Sequence, residues 1–113
     1  MGWFTRLVTL VVTAALLGTA LAQPPGSLRL MAPAAPGGGW DGTARAMQAA
    51  LQQAGLVNNV EVFNVPGAGG TIGLAQLATA EARSNDLLMV MGLVMVGAIL
   101  SNDSPVTLAS TTP

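Results

Sequence analysis

Twice along this chain an apolar run stops at proline, crosses a cluster of glycines and enters a helical pattern. The first passage runs from Met31 through Pro33, Pro36, Gly37, Gly38 and Gly39 to Trp40, Asp41 and Gly42. The second runs from Phe63 through Pro66, Gly67, Ala68, Gly69 and Gly70 to Thr71, Ile72 and Gly73. Such a rhythm confines the fold to strands that each hand the chain to a helix through a loop of nearly bare backbone. In a parallel sheet those loops share one edge, at the carboxyl ends of the strands, where α/β proteins bind their ligands. Unpaired amides and the helix dipole at a helix start favour an anion.

The remaining elements follow from periodicity. Ser27 to Ala32 reads as a first strand, stopped by Pro33 and Pro36. A helix capped by Asp41 or Thr43 follows, with Ala44, Met47, Leu51 and Ala54 on one face and Gly55 as its stop. Val60 to Val65 alternates as a second strand, and Thr71 to Arg83 reads as a second helix weakened by Gly73. Asn85 and Asp86 signal a turn; Leu87 to Met91 then forms a third strand expected to be buried on both faces, and Leu93 to Leu100 a short helix. The predicted class is α/β, a parallel or mixed sheet flanked by helices.

Residues 1–22 stand apart from this pattern. Arg6, the apolar stretch from Leu7 to Leu17, and Ala20-Leu21-Ala22 make a cleavable export signal ahead of Gln23. A membrane anchor would need about 20 apolar residues, and this run is shorter and interrupted by threonine. The chain has no cysteine, hence neither a disulfide nor a lipid-tethering cysteine, and the expected address is the periplasm.

Charge and composition narrow the chemistry. Beyond residue 22 there are three arginines, five acids and no lysine, which offers nucleic acid no basic patch. Histidine, cysteine and tyrosine are absent too, removing most catalytic bases, nucleophiles and metal ligands. No enzyme activity and no cofactor are expected. A chain with 51% hydrophobic and 8% charged residues is apolar for its size, so something is expected to cover it. The run Leu87 to Leu100 is the extreme case, and its length fits a strand plus a helix better than a membrane span.

Gly37, Gly38 and Gly39 let backbone approach a ligand closely, at an ordering cost of about 0.5–1 kcal/mol each relative to alanine. Asp41 conflicts with an incoming anion unless its oxygens are engaged, either as an N-cap or by a hydroxyl or ammonium of the ligand. Trp40 can wall the ligand's carbon skeleton or cover the domain's own core. The second loop, Gly67, Ala68, Gly69, Gly70 and Thr71, fails the nucleotide tests. A phosphate loop needs Gly-Lys-Ser/Thr, and a dinucleotide turn needs glycine where Ile72 stands. Glu81, Asp86 and Asp103 read as solvated.

The continuous pattern ProAlaAlaProGlyGlyGlyTrpAspGlyThrAlaArg, then ValPheAsnValProGlyAlaGlyGlyThrIleGlyLeu, then AspLeuLeuMetValMetGly, resembles the amino-terminal part of the solute receptors of tripartite tricarboxylate transporters, the Bug receptors. The likeness covers roughly residues 28–113. It implies a two-lobed receptor of type II periplasmic binding-protein architecture, with residues 23–113 an incomplete first lobe. It also implies a small organic carboxylate held by the loops matching Ala35 to Asp41 and Gly67 to Thr71, and the transporter's membrane components as partners. On that reading Gly37, Gly38, Gly39, Gly69 and Gly70 offer backbone donors, Thr71 a hydroxyl, and Asp41 the cap. Family members are longer by a whole second lobe, so weak or absent binding is expected of this chain alone. Two readings of other classes stand beside it: a small phosphate- or nucleotide-binding enzyme using the same loops, and an exported fragment without function.

Overall fold

The computed structural model describes residues 26–111, so the export signal read over residues 1–22 lies outside the described residues. Strands β1 (Ser27–Ala32), β2 (Asn59–Asn64) and β3 (Leu87–Met89) form one parallel sheet in the order β2-β1-β3. Register runs from Ser27 opposite Asn59 to Ala32 opposite Asn64, and from Arg29 opposite Leu87 to Met31 opposite Met89. Helix α1 (Gly39–Gln53) joins β1 to β2, α2 (Thr71–Thr79) follows β2, and α3 (Leu93–Ser101) follows β3. Single 3₁₀ turns occupy Ala68–Gly70 and Leu108–Ser110. The result is a small α/β domain with an open three-stranded parallel sheet flanked by helices.

The central strand carries the core. Leu30, Met31 and Ala32 are fully buried. Alternation sends Leu30 and Ala32 toward Ala44 of α1, together with Val57, Val60 and Val90. Met31 faces the other layer, where a Cβ on Gly73 of α2 would stand 3.3 Å from its Sδ and 2.9 Å from Pro33 Cβ. Gly73 therefore weakens α2 in propensity but lets its first turn lie flush on the sheet. β2 and β3 sit on opposite sides of β1, with α1 packed on the Leu30 face of the sheet and α2 on the Met31 face.

Several expectations are corrected. α1 begins at Gly39, inside the glycine cluster, with Gly38 rather than Asp41 or Thr43 at the N-cap. Gly55 does end it, at φ +66°, with Leu56 N–H donating back to Leu51 C=O. α2 stops at Thr79, four residues short of Arg83, and the following turn carries Glu81 into an ion pair. The Arg29 guanidinium on β1 meets Glu81 at 2.8 Å and Asp86 at 3.4 Å, so neither acid is merely solvated. Hydrogen bonds from Arg29 and then Ser84 hold the Glu81 carboxyl below its usual range. Of the three, Asp103 alone has no side-chain partner among the described residues.

β3 departs most from expectation. It spans three residues and lies at the sheet's edge, with Leu88 49% exposed, because β1 rather than β3 occupies the centre. Leu87 to Leu100 does divide into a strand and a helix. The helix is covered on one face only: Met95 is fully buried, while Leu93 is 85% and Leu100 76% exposed. Among the described residues no helix is long and apolar enough to cross a membrane.

Candidate functional site

Parallel strands bring all three helix starts to one edge of the sheet. β1 leads into Gly37–Gly39 and α1, β2 into Gly67–Gly70 and α2, and β3 into Gly92 and α3. The strand order reverses around β1, which makes this edge a topological switch point. Trp40 joins the loops physically. Its ring is near enough to both neighbours that a Cβ on Gly70 would stand 2.9 Å from Cζ3, and one on Gly92 would stand 3.2 Å from Nε1. The same ring packs on the core beneath, so Trp40 is at once core cover and floor between the loops.

The backbone donors divide into two groups. Gly37 N–H donates to Asp41 Oδ2 at 2.8 Å, Gly38 N–H to Ala35 C=O at 3.0 Å and Gly70 N–H to Gly67 C=O at 2.9 Å. These three are spent within the loops, contrary to the expectation that each would face a ligand. The first bond of α1 runs from Gly42 N–H to Gly38 C=O, which leaves the amides of Gly39, Trp40 and Asp41 over at its start. In the second loop no acceptor among the described residues takes the N–H of Ala68 or Gly69. Gly37, Gly39, Gly67, Ala68 and Gly69 are all exposed.

The second loop is bent sharply. Gly67, Ala68, Gly69 and Gly70 have φ of +129°, +47°, +63° and +92° in succession. Ala68 alone of these carries a side chain, and a left-handed alanine is disfavoured. Its carbonyl is held by three donors: Thr71 N–H, the Thr71 hydroxyl at 2.9 Å and Asn102 Nδ2 at 3.1 Å. The buried Thr71 hydroxyl thus gives its hydrogen to the loop itself. Asn102, at the end of α3, ties that helix to the loop, and a Cβ on Gly69 would meet Ala98 Cβ of α3 at 2.5 Å.

Asp41 is 3% exposed and sits in the first turn of α1, where a negative charge suits the helix dipole. It is not the N-cap. Oδ2 accepts from Gly37 N–H and from Arg45 Nε at 3.0 Å, and Oδ1 accepts from Asn64 Nδ2 at 3.0 Å. Hydrogen bonds from Arg45, the Gly37 amide and Asn64 outweigh burial and hold its carboxyl at about 2, against an ordinary 3.8. Both Asp41 oxygens are thus engaged, and the Arg45 guanidinium offsets its charge.

A pH dependence follows. A carboxyl whose folded pKa is depressed contributes stability in full above its unfolded value and loses it as pH falls through the folded one. Stability is expected to decline between about pH 4 and pH 2, and the slope in that window should flatten in Asp41→Asn, as read by urea unfolding at a series of pH values. An unchanged slope would remove Asp41 from this role.

A hollow of about 530 Å³ lies elsewhere, along β3, lined by Leu77, Glu81, Leu87, Met89 and Leu108 among others. None of its lining residues belongs to either glycine loop, whose Gly37, Gly39, Gly67, Ala68 and Gly69 are exposed. Among the described residues no three of His, Cys, Asp and Glu gather as metal ligands. Arg45, Asn64, Gly92 and Asn102 join the predicted residues at this edge, although no site role was expected of any of them. Comparison with protein-family models, curated proteins and solved structures finds no match for this chain.

Proposed function

We propose that this chain is the ligand-gripping part of an extracytoplasmic solute receptor of the tripartite tricarboxylate transporter type, that it binds a small organic carboxylate, and that it performs no catalysis. The observation that carries this reading is the meeting of two glycine loops across Trp40, with leftover amides of α1 and of the second loop at one sheet edge. Amides offer an anion hydrogen bonds without a competing side chain, and the chain lacks the lysine that phosphate loops use. The Bug-receptor likeness supplies the carboxylate and the transport context.

An open amide surface holds a small anion weakly, because water competes on every free side. In a type II receptor a second lobe closes over the first, and this reading assigns the missing enclosure to it. It also assigns the uncovered apolar surface of α3 and β3 to contact with further receptor polypeptide.

The test is amide NMR of the chain with millimolar citrate, succinate, glutamate or nicotinate, and separately with inorganic phosphate and Mg-ATP. The expected result is movement of the Gly39, Trp40 and Gly69 signals with at least one carboxylate, while signals at the far end of α1 stay put. Movement with phosphate or Mg-ATP and with none of the carboxylates would overturn the reading in favour of a nucleotide-handling protein.

A further inference from the structure

Asn64 closes β2 and opens the second glycine loop, yet its side chain serves the first. Its Nδ2 donates to Ala34 C=O at 3.0 Å and to Asp41 Oδ1 at 3.0 Å. Asp41 passes the connection on through its other oxygen, to Gly37 N–H at 2.8 Å. A path of three hydrogen-bonded groups therefore runs from the base of the second loop into the middle of the first. The backbone supports the same junction, with Val65 N–H donating to Ala32 C=O at 2.9 Å.

We propose that Asn64 is a positioning residue of the candidate site, the side chain that sets the first glycine loop against the second. The proposal rests on the reading of these loops as a carboxylate site, and extends it by saying what fixes their separation. Both acceptors that Asn64 meets need a donor, and its two Nδ2 hydrogens serve one each. Aspartate has the same shape but no such donor when ionised. Leucine has the bulk but no hydrogen bonds, and glutamine has the group on a longer stem. The two loops belong to different crossovers; besides the strands, they meet through the packing of Trp40 against Gly70 and through the Asn64 hydrogen bonds, and of these only the Asn64 bonds reach Asp41 and Gly37 in the first loop. An anion bridging both sets of amides needs the gap held.

The charged surroundings are simple. Asp41 faces Arg45 from its own helix, the neutral Asn64 from β2 and the neutral Gly37 amide from the loop. Asn64→Asp would place a second carboxylate at hydrogen-bond distance from Asp41, and two such groups cannot both stay ionised without repulsion. At lower pH they share a proton, and a hydrogen bond between them returns.

The experiment is amide NMR of the ligand-free chain as wild type, Asn64→Asp and Asn64→Ala, from neutral to mildly acidic pH, followed by citrate titration at pH 7. Folding of each variant is checked by the retained signals of α1 and β1. In Asn64→Asp, the Gly37 and Gly69 amides are expected to leave their wild-type positions together at neutral pH and to return together on acidification. In Asn64→Ala both should be displaced with no return, since alanine can share no proton. At pH 7 both variants should bind citrate at least tenfold more weakly than the wild type. If Gly37 moves while Gly69 keeps its wild-type position in both variants, the loops are not coupled through Asn64 and the proposal falls. If the amides move as a pair but citrate binds not even the wild type, the carboxylate reading falls while the coupling stands.

Discussion

Gly69→Ala is expected to destabilise the protein by about 2–5 kcal/mol, from two separable causes. The backbone there has φ +63°, which costs an alanine about 1–2 kcal/mol. The new Cβ would stand 2.5 Å from Ala98 Cβ of α3, and forcing such a contact costs about 1–3 kcal/mol. Ala98 has no flexible end to swing away, so the helix itself must move. Only the second cause can be relieved from outside. Ala98→Gly alone should cost about 1 kcal/mol in helix propensity, yet combined with Gly69→Ala it should recover most of the contact cost and none of the backbone cost. Urea denaturation of the two single variants and the double variant tests this, and strictly additive effects would show that the loop and α3 are not in contact.

Leu30→Ala should cost a similar amount, about 2–5 kcal/mol, by a different route. Leu30 is fully buried in the central strand, against a cluster drawn from Ala44 of α1, Val57 just before β2, Val60 of β2 and Val90 just after β3. Its removal opens a cavity that no single neighbour can fill, since those neighbours belong to separate segments of the chain. Total stability of a small domain is about 5–15 kcal/mol, so the loss can take a large fraction of it. Leu30→Met, which keeps the volume, should cost less than about 1.5 kcal/mol. Equal losses for the two substitutions, measured by the urea midpoint, would contradict a packed site at this position.

Much of the architecture was legible because each element is short and bounded by its own punctuation. Pro33 closes β1, Gly55 closes α1, and the apolar run divides ahead of a helix starting at Leu93 as expected, although β3 stops at Met89 rather than Met91. The position of β3 was not legible. A run of leucine and methionine reports burial preference, whereas strand order is decided by pairing between distant segments. The start of α1 was misread for a local reason. Asp41 has the identity of a capping residue, but in the first turn its carboxylate reaches back to Gly37 N–H, and the cap lies three residues earlier, at Gly38.

At the site, the glycines and Trp40 were visible as types, while the wiring between them was not. Asn64 carried a signal that could have been used. Val60 and Val62 share its parity along β2 and face the α1 core, so a polar residue in that phase requires a buried partner. Asn102 offered no such clue, since nothing in a polar turn announces a contact with Ala68, thirty-four residues earlier.

The sheet register has a consequence for how the chain reaches this state. β1 lies at the centre of the sheet but is made first, and it pairs with residues 59–64 on one side and 87–89 on the other. No strand has a hairpin neighbour, so every ladder must close a long loop before it gains a hydrogen bond. Such a topology folds slowly, and a polypeptide growing from its amino terminus cannot assemble the three-stranded core until Met89 is free to pair. The full three-stranded core thus forms only once residue 89 is available, and one side of Leu30 and Met31 waits longest for its strand partner.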